Sequence, residues 1–148
     1  MFPIVHFLTS FGLFLVLFPF FGFWSFAVFI GGFFIDVDHY FAYTIEKKRF
    51  HPLLCYKELT NESVRNKKLF TKRKKRPLYL RWDRLHIFHV WEFVVLIFLL
   101  IFLHTFFLLI FLGMILHLSL DFIDLWKERV YGRRALSFFG WLQRRTRK

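Results

Sequence analysis

Every one of the 22 Lys and Arg residues lies in one of two blocks, 47–84 and 127–148. The stretches 1–46 and 85–126 carry none, and both are apolar runs dominated by Phe, Leu and Ile. Runs of this length exceed what a soluble core requires and read as membrane spans. One helix crosses the hydrocarbon with roughly 20 residues, so each stretch has room for two crossings. Hydrocarbon satisfies no backbone polar group, which makes helices the default, and apolarity without strict alternation argues against a barrel. The expected fold is therefore all-α: one polytopic membrane domain, a bundle of about four transmembrane helices over 3–18, 24–40, 86–104 and 106–126. A basic cytoplasmic loop (44–84) and a basic tail (127–148) complete it.

Pro19 and Gly22 mark the first turn. Gly31 and Gly32 fall inside the second span, where a Gly pair either admits a neighbouring helix or loosens the helix just before Asp36. No Gly or Pro separates the third span from the fourth. The segment MFPIVHFLTS has neither a basic n-region nor a small-residue cleavage site, so it reads as a retained first helix. The single cysteine, Cys55, excludes an intrachain disulfide and reads as a free thiol of a reducing compartment.

Positive charge stays on the cytoplasmic face, so both basic blocks, and with them the N- and C-termini, are expected in the cytoplasm of a cell with an inner membrane. Anionic lipid headgroups are the natural partner of such blocks. KRKKR (72–76) abuts a span and has no recognition fold beside it, so nucleic acid is not an expected partner. The tail segment RALSFFGWLQRR (134–145) predicts an amphipathic interfacial helix with Phe138, Phe139, Trp141 and Leu142 in the lipid. Trp82, Trp91 and Trp126 fit an interfacial aromatic belt.

Ionisable side chains in a bilayer are costly and mark function by default. Asp36, Asp38, Glu92, Asp121 and Asp124 lie inside the cation-free stretches, with His6, His39, His86, His89, His104 and His117. No Lys or Arg in those stretches neutralises the acids, so protons, water or a metal cation must. Helix rise sets their depth. Asp36 precedes Lys47 by 11 residues, Glu92 follows Arg84 by 8, and His117 and Asp121 precede Lys127 by 10 and 6. All then stand roughly 10–16 Å inside the same boundary. His6 can join that layer. His104, at the far turn, reads as an interfacial histidine, Asp124 as a solvated partner of Lys127, and His51 as a surface residue.

Spacing supports the layer. His117 and Asp121 are i,i+4. His86 and His89, His89 and Glu92, and Asp36 and His39 are i,i+3, so each pair shares a helix face. Asp38 points elsewhere unless the helix ends there. Helical bundles build metal sites from carboxylates and imidazoles at these offsets. Imidazole and carboxylate without thiolate suit zinc foremost, with manganese or iron as alternatives. The candidate ligands suffice for two ions, and two ions a few ångströms apart clamp a phosphoester.

At these residues the chain resembles the membrane-bound metal-dependent hydrolases of the YdjM-like group, small prokaryotic inner-membrane proteins. His6 matches that family's N-terminal His. GGFFIDVDH (31–39) matches its Gly-x-x-x-Pro-Asp-x-Asp-His segment, with Ile35 in the place of Pro. GMILHLSLD (113–121) matches its Gly-x-x-x-His-x-x-x-Asp helix. HIFHVWE (86–92) occupies the remaining place but lacks the family's His-Arg and Thr-His-Ser elements. A looser similarity to the helical zinc-dependent phospholipase C fold implies phosphoesters or phospholipid headgroups as substrates.

The leading expectation is thus a membrane-embedded metal-dependent hydrolase. His6, Asp36, Asp38, His39, His89, His117 and Asp121 would hold the metal, and Glu92 would be a further ligand or the general base. Two other classes are open. One is a non-enzymatic membrane protein that binds or conducts a metal ion or protons through the same polar layer. The other is a structural or adaptor protein whose polar layer locks helix packing.

Overall fold

The computed structural model describes residues 3–48, 50–57, 61, 85–127 and 136–146. Most of the basic loop, including KRKKR (72–76) and Trp82, and the first part of the tail lie outside the described residues. Those described are helical, with no strand among them. Helix α1 spans Pro3–Phe21, and a 3-10 turn over Gly22–Phe26 leads into α2, Ala27–Gly32. A second 3-10 turn, Phe34–Asp36, precedes α3, Val37–Lys47. After the loop, a 3-10 turn at Ile87–His89 leads to α4, Trp91–Leu100, then α5, Thr105–Lys127, and α6, Phe138–Thr146.

Two helical stretches are long and apolar enough to cross a membrane, Pro3–Ile45 and Thr105–Asp124. The first is a hairpin rather than a rod. Gly22 has a φ of +54°, a left-handed conformation that glycine adopts without steric cost, and the chain reverses there. Phe7 then packs on Phe29 and Phe33, and Phe14 on Phe26 and Phe29, which is an antiparallel register. Pro19 does not end α1. It sits inside the last turn, two residues before Phe21, and the reversal waits for Gly22.

The expected second helix, 24–40, is in fact broken. Phe33 leaves helical geometry (φ −123°, ψ −48°), and the backbone restarts through a 3-10 turn. The third segment also differs from the expected 86–104. Its α-helix is 10 residues long, a rise of about 15 Å, and it ends in a turn at 101–103. No Gly or Pro announces that turn. His104 makes the restart instead: its Nδ1 accepts the Phe106 N–H at 3.0 Å, capping α5.

Four segments run between two ends. At one end Trp24 contacts His104 and Phe106, joining the two turns. At the other lie His6, Asp36 and His89, each in contact with His117. Ala27, Val28, Ile35, Ile97, Leu109, Ile110 and Met114 fill the space between.

Small residues set the closest approach. A Cβ on Gly31 would land on the Ile110 carbonyl oxygen, and one on Gly113 would land on that of Val28. Helices α2 and α5 therefore touch backbone to backbone, as small residues permit in membrane bundles. Both readings of the glycine pair hold: Gly31 admits α5, and the helix ends at Gly32.

Among the described residues the surface carries many exposed apolar side chains, while polar ones lie buried beside the apolar core. On α1 the buried residues are His6, Ser10 and Phe14, one face at i, i+4 and i+8, while Ile4, Leu8, Phe11, Leu15 and Val16 face outward. Water-soluble helices show the opposite distribution.

Candidate metal centre

The break at Phe33 places the two aspartates. In an unbroken helix Asp36 and Asp38 would diverge by about 200°. Here Asp36 ends the 3-10 turn and Asp38 lies in the first turn of α3, and both reach the same histidine. Asp36 Oδ1 stands 3.6 Å from His89 Nε2, and Asp38 Oδ2 stands 3.0 Å from His89 Nδ1.

Four side chains from three segments converge on one point: Asp36, His89, His117 and Asp121. His89 Nε2 and His117 Nε2 are 3.1 Å apart. Asp36 Oδ1 is 3.6 Å from the first and 3.4 Å from the second. Asp121 Oδ2 is 3.7 Å and 3.5 Å from the same two atoms. Ligands about 2.0–2.1 Å from a tetrahedral zinc stand about 3.3–3.4 Å from one another. Five of the six donor–donor separations thus match the edges of a tetrahedral cage of the right size, and all lie within 4.8 Å.

Each imidazole is held from behind. His117 Nδ1 donates to the Gly32 carbonyl at 2.9 Å, an acceptor freed where α2 ends. His89 Nδ1 donates to Asp38 Oδ2, which also accepts the Phe88 N–H at 3.1 Å. A carbonyl and a carboxylate can only accept, so both neutral rings carry their proton on Nδ1 and turn a bare Nε2 inward. Two imidazole nitrogens and two carboxylates then face one another. A cation or added protons between them suit that arrangement. A second partner that fixes each ligand's tautomer is the usual support of a metal-binding histidine.

His6 sits beside this cage. Its ring stacks on His117 with centroids 4.0 Å apart, and its Nε2 is 3.4 Å from Asp121 Oδ1, the oxygen turned away from the cage. Burial is nearly complete for His6, His89, His117 and Asp121.

A second group adjoins the first. Asp38, His39 and His86 also bring ligand atoms within 4.8 Å of one another. Both groups could hold a metal ion. The structure places Asp36, His89, His117 and Asp121 in one group, Asp38 and His39 in the other, and His6 beside the first. It adds His86, which spacing paired with His89 but which the ligand set omitted. In a 3-10 turn, residues i and i+3 eclipse, so that pair aligns well.

Glu92 does different work from that expected. Its carboxylate accepts the Ser137 hydroxyl at 2.6 Å and the backbone N–H groups of Phe138 and Phe139 at 3.1 and 3.4 Å. Ser137 Oγ in turn accepts the Gly140 N–H at 3.1 Å. Together they cap the N-terminus of α6, and the Trp91 N–H to Leu136 carbonyl bond (2.9 Å) fastens the same junction. Sequence spacing put Glu92 on the His89 face of a helix. The chain instead leaves helical geometry at Val90 (ψ 148°), which breaks that register.

No protein-family model matches the chain, and no curated protein or solved structure is significantly similar to it.

Proposed function

We propose that the chain is a multi-pass inner-membrane protein with a metal-dependent hydrolase centre at its cytoplasmic side. The four-donor cage of Asp36, His89, His117 and Asp121 carries this reading, because its donor types and spacing suit a zinc ion. Manganese and iron fit the donor types less selectively.

The membrane placement rests on the outward apolar faces and on the four segments between the two ends. These would be the four crossings, α4 completing the third with its flanking turns. His117 precedes Lys127 by 10 residues along α5, so the cage would lie roughly 15 Å below the basic boundary. Both basic blocks then face the cytoplasm, with both termini. The exposed Leu136, together with Phe138, Phe139 and Leu142 of α6, would rest in the interface among anionic headgroups.

A divalent cation in the cage supplies Lewis acidity toward a water or a phosphoryl oxygen. The protein's own residues orient and exclude. Asp38 and the Gly32 carbonyl fix the two imidazoles, and burial keeps bulk water out. Access is on the side of Asp36 and His39, whose side chains are 25% and 22% exposed. The substrate class that suits such a centre near a lipid surface is a phosphoester or phospholipid headgroup, which is also what the looser similarity to the helical zinc-dependent phospholipase C fold implies.

The second reading is a membrane protein that only binds an ion to lock its helices. It is favoured by one observation: four protein ligands close the first cage, as in structural zinc sites. Purified protein, free of chelator and metal-affinity tag, separates the readings. The hydrolase reading expects bound zinc, and phosphoester cleavage lost in Asp36→Ala and His117→Ala. Tightly bound zinc without cleavage of any phosphoester or lipid headgroup supports the locking reading. Cleavage that survives both substitutions removes this site from the chemistry.

A further inference from the structure

We propose that Asp38, His39 and His86 form a second divalent-cation site, distinct from the four-donor cage, and that this second site is the substrate-facing one. The inference rests on reading the first cage as a metal site and assigns the pair their separate roles.

The second site has its own unsatisfied atom. Asp38 uses Oδ2 twice, for His89 and for the Phe88 amide. Its Oδ1 is buried and accepts no hydrogen bond within the described residues. The group facing Oδ1 is His86 Nδ1 at 3.7 Å. That is beyond hydrogen-bond length but within the range seen between the donors of the first cage. The His39 ring lies against the His86 ring, with centroids 4.0 Å apart, which brings the third ligand to the same place.

The two sites share a boundary. Asp36 Oδ1 is 3.4 Å from His39 Nε2 on one side and 3.4 Å from His117 Nε2 on the other. Asp38 links them again, one oxygen behind a ligand of the first cage and the other within the second group. Adjacent cations joined by carboxylates are the arrangement that clamps both oxygens of a phosphoester displacement.

The difference in ligand count assigns the roles. Four protein donors close the first cage, whereas the second group offers three, and a three-ligand site keeps a position open for substrate or water. The open side lies where the groups meet: Asp36 of the first cage and His39 of the second group are 25% and 22% exposed in their side chains, while His89, His117 and Asp121 are at most 5% exposed. The ligand expected at the open position is the oxyanion of a phosphoester.

The test is zinc stoichiometry of the full chain in mild detergent, by elemental mass spectrometry after equilibration with Zn²⁺ and gel filtration. Two equivalents are expected for wild type and for His51→Ala, an exposed histidine that belongs to neither group. One equivalent is expected for His86→Ala and for His39→Ala. The second substitution is at a partly exposed position and decides the matter if the first fails to fold. Phosphoester cleavage should fall at least 100-fold in both while the remaining zinc stays bound. One equivalent in wild type, unchanged in both variants, would overturn the second site and leave the first standing. No zinc in well-folded wild type would overturn both.

Discussion

His89 Nε2 and His117 Nε2 face each other at 3.1 Å, and neither ring has its Nδ1 available to relieve the contact, because Asp38 and the Gly32 carbonyl already hold those atoms. Two neutral imidazoles in that pose repel, and a cation between them converts repulsion into coordination. Metal removal should therefore loosen the bundle. With zinc bound, thermal unfolding in detergent should occur at a higher temperature than after exhaustive chelation, and the difference should shrink to near zero in His89→Ala,His117→Ala. Equal melting temperatures for loaded and chelated wild type would show that the contact is satisfied by protons alone.

Proton competition gives that prediction a sign with pH. Imidazole binds a metal only as the neutral base, so acid releases the ion. Zinc affinity should fall steadily as pH drops, since two imidazoles of the cage take up protons as the metal leaves. Equilibrium titration with a competing chelator from pH 8 to pH 5.5 measures it. A flat profile would mean that carboxylates, not histidines, dominate binding.

His6 is placed as a support rather than a ligand. Its ring stacks on His117, and its nitrogen reaches the outer oxygen of Asp121. His6→Phe preserves the stacking ring and removes the nitrogen. Zinc count should be unchanged, with affinity weakened by roughly 10-fold, the low end of what loss of an outer-shell partner costs. A variant that loses a full equivalent of zinc would make His6 a ligand.

Much of this was legible in the chain. The absence of cations from 1–46 and 85–126 leads directly to an all-helical, outwardly apolar fold, and the i,i+4 pair His117 and Asp121 does share one helix face. Two features were hidden for the same physical reason: helical periodicity was extended across breaks. At Phe33 the backbone leaves the helix, and the Gly pair hints at this only ambiguously, so the cooperation of Asp36 and Asp38 could not be read from spacing. At Val90 another break turns Glu92 away from the site, and no Gly or Pro marks it. The partner of Glu92, Ser137, lies 45 residues on, beyond any local pattern.

The backbone contact of α2 with α5 predicts a steep dependence on side-chain size. A methyl group on Gly113 meets the Val28 carbonyl, and one on Gly31 meets that of Ile110. Backbone atoms cannot rotate away as side chains do, so the helices must separate. Overpacking of this kind costs about 1–3 kcal/mol. Separation would also carry the Gly32 carbonyl away from His117 Nδ1, which links packing to metal binding. Gly113→Ala should lower both thermal stability and zinc affinity. Gly12→Ala, where a Cβ meets nothing, should change neither.

The junction of Glu92 with α6 predicts the converse, a change in order without a change in metal. Glu92 holds three donors at the start of α6, and Ser137 supplies the cap from within. Glu92→Ala removes the carboxylate that these groups share and should free the C-terminal helix from α4. Amide exchange across 138–146 should accelerate, and limited proteolysis should reach the tail sooner. Zinc stoichiometry should stay at the wild-type value, because no donor of either group is lost. Phosphoester cleavage should likewise persist. Loss of cleavage with α6 still protected would return Glu92 to the chemistry, in the role its sequence position first suggested.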